Sequence, residues 1–256
     1  MDSVVPAEIL TLLDLVTTVR ARLDDFVGDS YTTDWVTDDA GLSWSNSELT
    51  AYANAADDEV AKRRPIRDSS TASICEIAVV AASGPAVPYS ERILSIRRAA
   101  IDGEVHPLRK LTTEDFDNQF HGWEGFDAGT PLYYTEDSHA NELRLFPAPD
   151  EDLTLKLVVD RLPVSAMTWA NRDTDAPETP REDRFALIDW IEFLALQKRD
   201  EEVFRTGKSG VSQSLQRASA AQRRFEEYFG PRVSLRVRAE RKREANLARR
   251  SKALYY

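Results

Sequence analysis

The side chains best suited to metal or acid-base chemistry are few and widely spaced in this chain. Its three histidines, His106, His121 and His139, are 15 and 18 residues apart, so no two share a helical turn. Asp173 and Asp175 lack the glycine and the final glutamate of a calcium-binding loop. The spacing indicates no metal site, since only tertiary proximity would bring the histidines together.

Nucleophilic and phosphate-binding motifs are equally weak. Residues 206–209 read Thr-Gly-Lys-Ser, but Glu202 stands where a phosphate-binding loop needs its first glycine. The single cysteine, Cys75, excludes an internal disulfide, and its apolar surroundings indicate a packed thiol. No pair stands out among the 44 acidic residues, and no nucleophile elbow occurs. We expect a non-enzyme without a cofactor.

Charge is divided unevenly along the chain. Residues 231–256 carry nine Lys or Arg and two Glu, a formal charge of +7, whereas the first 230 residues carry 24 basic and 42 acidic side chains, −18. Opposite charge steers encounter and register between molecules more than it creates a fold. The sequence therefore predicts an extended basic C-terminal arm, residues 231–256, that docks on another molecule.

The arm combines two patterns. Aliphatic and polar residues alternate over 233–237, as in a strand that adds to another sheet edge, whereas residues 239–252 favour a helix. Its only aromatic residues are Tyr255 and Tyr256, so no base-stacking platform is interleaved with the charge. Docking on an acidic protein is favoured; a solvated tail and a nucleic-acid-binding tail are the alternatives. The candidate partner-binding residues are Val233, Leu235, Arg236, Val237, Arg238, Arg241, Lys242, Arg243, Arg249 and Arg250.

Two segments are acidic and lack any basic residue. Residues 23–61 contain ten Asp or Glu, residues 111–143 contain eight, and neither contains Lys or Arg. Such segments form either a solvated, self-repelling surface or a face past which DNA slides, because phosphates are repelled there. Both interpretations stay open.

Helical spacing of apolar residues recurs at both ends of the chain. It predicts a first helix over 6–26, ended by Gly28, and a second over 46–64 that begins at a capping box of Ser45 and Glu48. Further helices are predicted over 113–120, 182–205 and 211–229.

The middle of the chain is rich in β-forming residues. Asp102-Gly103 predicts a tight hairpin, and the alternation over 153–159 predicts a strand with one buried and one wet face. Residues 163–181 contain three prolines and predict a surface connection. A mostly antiparallel sheet of five or six strands is expected from the segments 73–80, 92–101, 104–111, 132–135, 142–146 and 153–162.

These elements predict an α+β protein in which helices from the two ends form a bundle around an inserted β lobe. The expected regions are a helical region (residues 1–70), a β-rich lobe (71–162), a second helical region (163–230) that packs on the first, and the arm (231–256). The sequence has no apolar run of about 18 residues and no basic-then-apolar start, so neither a membrane span nor export is expected.

The order of these segments resembles the head-to-tail adaptor (connector) proteins of tailed bacteriophages. The similarity is a pattern of structural residues over most of the chain, not a catalytic signature. It is carried by residues 45–70, 92–98 (RILSIRR), 129–134 (GTPLYY), 141–149 (NELRLFPAP) and 184–201, followed by the basic extension.

The resemblance implies a structural virion protein, made in the host cytoplasm, that forms a ring, commonly of twelve copies, below the portal. DNA would pass through the ring without sequence-specific binding. The C-terminal extension would insert against portal subunits, and the other side of the ring would receive a tail or nozzle (hub) protein. The alternative is a nucleic-acid-binding protein that uses the basic tail.

Overall fold

Helices precede and follow a pair of small sheets along this chain. Its computed structural model describes residues 9–25, 42–81, 84–120, 126–137, 141–205 and 213–230. The chain divides into two compact units, Met1–Leu187 and Ile188–Tyr256. The mixture of helix and sheet agrees with the predicted α+β class. The bundle between the two ends of the chain stays a prediction, and the arm lies outside the described residues.

The first helix, α1 (Leu12–Leu23), is shorter than predicted because both of its ends are fixed locally. The Asp14 carboxylate accepts the backbone N–H of Thr11 at 2.9 Å, and the Thr11 hydroxyl accepts that of Asp14 in return. At the other end Asp24 adopts a left-handed backbone, φ 53°, which breaks the helix. The predicted range 6–26 is therefore too long.

The second helix, α2 (Asn46–Arg63), confirms the prediction. The Ser45 hydroxyl accepts the backbone N–H of Glu48 at 3.2 Å, and the Glu48 carboxylate accepts that of Ser45 at 3.1 Å. Pro65 follows shortly afterwards and disfavours further helix.

Two four-stranded sheets replace the single sheet that was expected. The strands are β1 (Ile66–Asp68), β2 (Glu76–Val79), β3 (Ala86–Pro88), β4 (Ile93–Ile101), β5 (Arg109–Lys110), β6 (Tyr133–Asp137), β7 (Glu142–Phe146) and β8 (Leu153–Arg161). In sheet A the central strand β8 pairs antiparallel with β1 and β2 along one edge and with β4 along the other. Sheet B has the order β3-β7-β6-β5.

One strand prediction is wrong and one turn prediction is confirmed only locally. The first half of segment 73–80 is a single helical turn, α3 (Ala72–Cys75), before β2 begins. The predicted 102–103 turn forms, since Gly103 has φ +86° and the Glu104 N–H donates to the Ile101 carbonyl at 3.1 Å, but the next strand, β5, pairs parallel with β6 in sheet B. Turn chemistry fixes a reversal, but the partner of the next strand depends on long-range packing.

One hydrophobic core of the described residues is shared by the two sheets. Its members come from the inner faces of both, so each strand alternates between this core and the outside. In β8 this alternation confirms the predicted buried and wet faces, with Leu155, Leu157 and Val159 buried and Lys156 exposed. Cys75 joins the same core, as expected of a packed thiol.

The remaining helices follow the predicted order. They are α4 (Thr113–Gln119), α5 (Arg184–Arg205) and α6 (Gln213–Phe229), and the proline-rich connection before α5 contains two 3₁₀ turns, Trp169–Asn171 and Arg181–Asp183.

Candidate partner-binding surfaces

The ten predicted arm residues, Val233 to Arg250, lie outside the described residues. The described residues belong to the folded body. Within it we distinguish a scaffold of ion pairs and hydrogen bonds from two charged faces, one on the outer side of each sheet.

Residues 163–184, here called the strap, are fastened to α2 by a buried carboxylate. Asp57 on α2 accepts the backbone N–H groups of Glu178 and Thr179, each at 3.0 Å, and also the Thr179 hydroxyl. Burial raises the pKa of Asp57, and these hydrogen bonds only partly offset that rise. The carboxylate thus satisfies three donors that the strap would otherwise bury unpaired.

A buried arginine fastens the strap to sheet A. Arg161 on β8 donates from Nε to Asp68 at 2.6 Å and from Nη1 to Glu178 at 2.5 Å. Burial opposes ionisation of Asp68, but hydrogen bonds from Thr71, Ser70 and Arg161 hold its pKa well below its usual range. In this cluster one guanidinium is shared by two carboxylates.

The strap also holds the start of α1. Arg184 donates to the carbonyl oxygens of Ile9 at 2.9 Å and Leu10 at 3.1 Å. The side chain of Asp183, fully buried, accepts Arg64 Nη1 at 2.6 and 2.7 Å. The strap therefore ties α1, α2 and sheet A into one scaffold.

The outer face of sheet A carries a cluster of arginines. Arg67 on β1 is the cross-strand partner of Asp160 on β8. Arg97 on β4 donates from Nε to the Asp160 carboxylate at 2.6 Å, and Arg98 lies opposite Val158. We call Arg67, Arg97 and Arg98 the arginine face.

A bulge in β4 brings two consecutive arginines to this face. The register of β4 on β8 shifts between Ile96 and Arg98, so Arg97 and Arg98 are both exposed while Ile96 and Ala99 are buried. The hydrogen bond to Asp160 raises the pKa of Arg97. No carboxylate of the described residues pairs with Arg67 or Arg98. With three arginines and one carboxylate, the face has a local excess of positive charge.

A shallow groove of about 260 Å³ adjoins the arginine face. Val158 and Ala100 contribute apolar surface to it, and Arg98 is also among its lining residues. Lys156, which donates to Asp102 at 2.9 Å, lines it as well. Asp102 and Glu104 also line the groove, so its charge is mixed, with apolar surface between the charged groups.

The outer face of sheet B has a different composition. Tyr133 and Phe146 are cross-strand partners there, and Phe120 packs on both, with ring centroids at 5.2 and 4.1 Å. Phe126 meets Phe146 edge to face at 5.4 Å yet stays 54% exposed, and Leu132 is 60% exposed. This small aromatic cluster is only partly covered.

Exposed carboxylates surround that cluster. Glu114, Asp115 and Asp117 on α4 and Asp127 beside Phe126 are all exposed. The strand register also places two basic residues, Arg109 and Arg144, on this side of the sheet. The acidic-aromatic face is defined by Glu114, Asp115, Asp117, Phe126, Asp127 and Leu132.

Three carboxylates of the other acidic segment, 23–61, pair with arginines in the described part of the chain. Asp25 is buried against Arg20, Asp58 accepts Arg92 at 2.8 Å, and Glu59 accepts Arg63 at 3.2 Å. All three arginines lie outside 23–61 in sequence. These three carboxylates therefore have a structural role.

In the second unit, α5 and α6 contact each other through charge and aromatic packing. Arg224 donates to Asp189 at 2.9 Å and to Glu192 at 2.8 Å. The rings of Trp190 and Phe225 are 4.7 Å apart. These contacts join the two helices as a hairpin.

The described residues contain no group of three or more His, Cys, Asp or Glu side chains that could hold a metal ion. His106 lies in the exposed turn after β4, whereas His121 and His139 fall outside the described ranges. None of the described helices is both long and apolar enough to cross a membrane.

A scaffold fastened by ion pairs, with charged outer faces, is typical of a structural docking protein. The chain matches the family model of the SU10 adaptor protein over residues 10–250, and therefore belongs to that family. The resemblance to the head-to-tail adaptors of tailed bacteriophages is confirmed. No curated protein matches the chain. Membership supports an adaptor role in a phage particle, associated with portal and tail proteins, and a structural rather than catalytic function.

Sequence reasoning did not single out the arginine face. Segment 92–98 carries a family resemblance, but that resemblance says nothing of what its two final arginines do. The available signal is the Arg97-Arg98 pair inside a strand pattern, because two consecutive charged residues cannot both avoid the core unless the strand bulges.

Proposed function

We propose that this protein is a head-to-tail adaptor that forms a ring below the portal, links the capsid to the tail and surrounds the DNA channel. The family match over residues 10–250 carries the proposal. The division of charge into a −18 body and a +7 arm supports it, because a cationic arm can bind a neighbour while an acidic body does not adhere to DNA.

The arm makes the contact with the portal in this proposal. Its arginines and lysine pair with portal carboxylates, and its aliphatic residues anchor it. Each exposed pair contributes only about 0–1 kcal/mol, so the strength comes from many pairs and many copies around the ring. The residues proposed for this role are Val233, Leu235, Arg236, Val237, Arg238, Arg241, Lys242, Arg243, Arg249 and Arg250.

The acidic surplus of the body, 42 acidic against 24 basic side chains, would repel phosphates and suits a protein through which DNA passes. The opposite side of the ring receives the tail or nozzle protein. The protein is a virion component at the head-to-tail junction.

Deletion of residues 231–256 tests the proposal. The truncated protein should stay folded, with an unchanged circular dichroism spectrum and urea midpoint, but should no longer co-purify with the portal protein of its own phage. A matched control is the full chain with S234A, which leaves every charged and aliphatic residue of the arm in place. Portal binding by the truncated chain at the wild-type level would refute the assignment.

Nucleic-acid binding by the tail is the second candidate, favoured by its nine basic residues. It predicts that the full chain binds a DNA duplex of random sequence with a steep salt dependence, and that the truncated chain does not. Retained portal binding together with lost DNA binding in the truncated chain would favour this alternative.

A further inference from the structure

We infer that the arginine face of one copy of this chain docks on the acidic-aromatic face of the next copy, and that this contact joins neighbouring subunits of the ring. The inference rests on the proposed function, because it supplies the lateral contact that a ring of this protein needs. The complementarity of the two faces carries it.

The first step is their placement. Sheets A and B share one core, so the outer face of each sheet points away from it. The arginine face is on the outer side of sheet A, and the acidic-aromatic face is on the outer side of sheet B. Two different faces of one copy form a heterologous contact, which repeats from copy to copy and closes into a ring when the rotation allows.

The second step is charge. Each copy has a formal net charge of −11, so two copies repel unless complementary groups meet locally. Arg67 and Arg98 are exposed and have no carboxylate partner among the described residues. Glu114 and Asp127 are exposed on the other face. Pairing these groups across copies replaces repulsion by attraction at the point of contact.

The third step is apolar surface. Phe126 and Leu132 are 54% and 60% exposed, so both side chains have apolar surface left to bury. The groove beside Arg98 offers the apolar side chains of Val158 and Ala100. Aromatic anchors that fill a shallow apolar site, surrounded by charged pairs, are the usual composition of a specific interface.

Charge reversal tests the contact, because two variants with opposite reversals should compensate each other when they are mixed. R67E/R98E makes the proposed pairing groups of both faces acidic, and E114R/D127R makes them basic. Each variant alone should fill portals incompletely, with partial rings in electron micrographs and about tenfold weaker cooperative binding. An equimolar mixture should restore complete rings, because each acidic face then meets a basic one on the neighbouring copy. R223E, an exposed reversal on α6, is the matched control and should behave as wild type.

A second experiment does not require the portal. The double variant R98C/D127C, oxidised at high protein concentration, should give a ladder of cross-linked copies, whereas R98C or D127C alone should stop at dimers. The wild-type chain is the control, since its one cysteine, Cys75, is buried.

The outcomes separate the inference from the proposed function. Complete portal rings formed by R67E/R98E overturn the inference and leave the adaptor function intact. A ladder from R98C/D127C in a chain that does not bind its portal supports the contact and overturns the function. Loss of binding to a random DNA duplex in R67E/R98E, with complete rings retained, reassigns the arginine face to nucleic acid and overturns the inference.

Discussion

The strap and the arginine face both combine arginines with carboxylates, but carboxylates outnumber arginines in the Arg161 cluster and arginines outnumber carboxylates on the face. At the strap, Arg161 is shared by two carboxylates and is nearly buried, so every charged group has a partner. At the arginine face, Asp160 accepts Arg97, while Arg67 and Arg98 are exposed and pair with no carboxylate of the described residues. Balanced groups build the scaffold, whereas surplus groups are available to another molecule.

The largest expected effect on stability comes from removing Arg161, the arginine that two carboxylates share. R161A leaves Asp68 and Glu178 beside each other without a cation, so the free energy of unfolding should fall by about 3–5 kcal/mol. Urea denaturation followed by circular dichroism measures it. R161K should recover some of the loss, because it restores the charge but not the fork geometry. A loss below about 1 kcal/mol would mean that the strap does not depend on this cluster.

The pH dependence of stability is a smaller effect of the same cluster. The pKa values of Asp68 and Glu178 are lowered in the folded state, so their contribution is present above the ordinary carboxylate pKa of about 4 and is lost as the pH falls below it. Burial raises the pKa of Asp57, which acts with the opposite sign and favours the folded state as the pH falls. D68N should therefore flatten the loss of stability in acid, and D57N should steepen it.

Unfolding midpoints measured from pH 6 to pH 3 check these slopes. E182Q, at an exposed carboxylate near the same segment, should keep the wild-type slope. Parallel curves for wild type and D68N would contradict a contribution of Asp68 to the loss of stability in acid.

The smallest change in the free energy of unfolding is expected from substitutions on the arginine face. R67A and R98A should change the free energy of unfolding by less than about 0.5 kcal/mol, because neither residue has a carboxylate partner among the described residues. R97A removes the pair with Asp160 and should cost up to about 1 kcal/mol, since Arg97 is half exposed. Large destabilisation by R98A in thermal unfolding would assign this face to the scaffold instead.

Local signals predicted several elements of the fold well. The reciprocal cap of Ser45 and Glu48 fixed the start of α2, and the alternation in β8 identified its buried side. Strand partners were harder, because the choice between β4 and β6 as the neighbour of β5 depends on packing between distant segments. Counting charge along the sequence also does not show pairing in space: Asp25, Glu59 and Asp58 of the acidic run 23–61 pair with Arg20, Arg63 and Arg92, which lie outside it.

The candidate site shows the same limit of sequence reasoning. The arm was predicted from its composition alone, and its role in docking stays a prediction. The two outer faces depend on which strands share a sheet and on one bulge, and neither of these is visible in the order of residues. The Arg97-Arg98 pair was the single local clue.

The burial of Cys75 has a practical consequence for labelling chemistry. Burial raises the pKa of this thiol, so the native protein holds it protonated and shielded from maleimides. A cysteine introduced on any exposed surface is then the dominant nucleophile of the folded chain, and a fluorophore can be attached there without first replacing the natural residue.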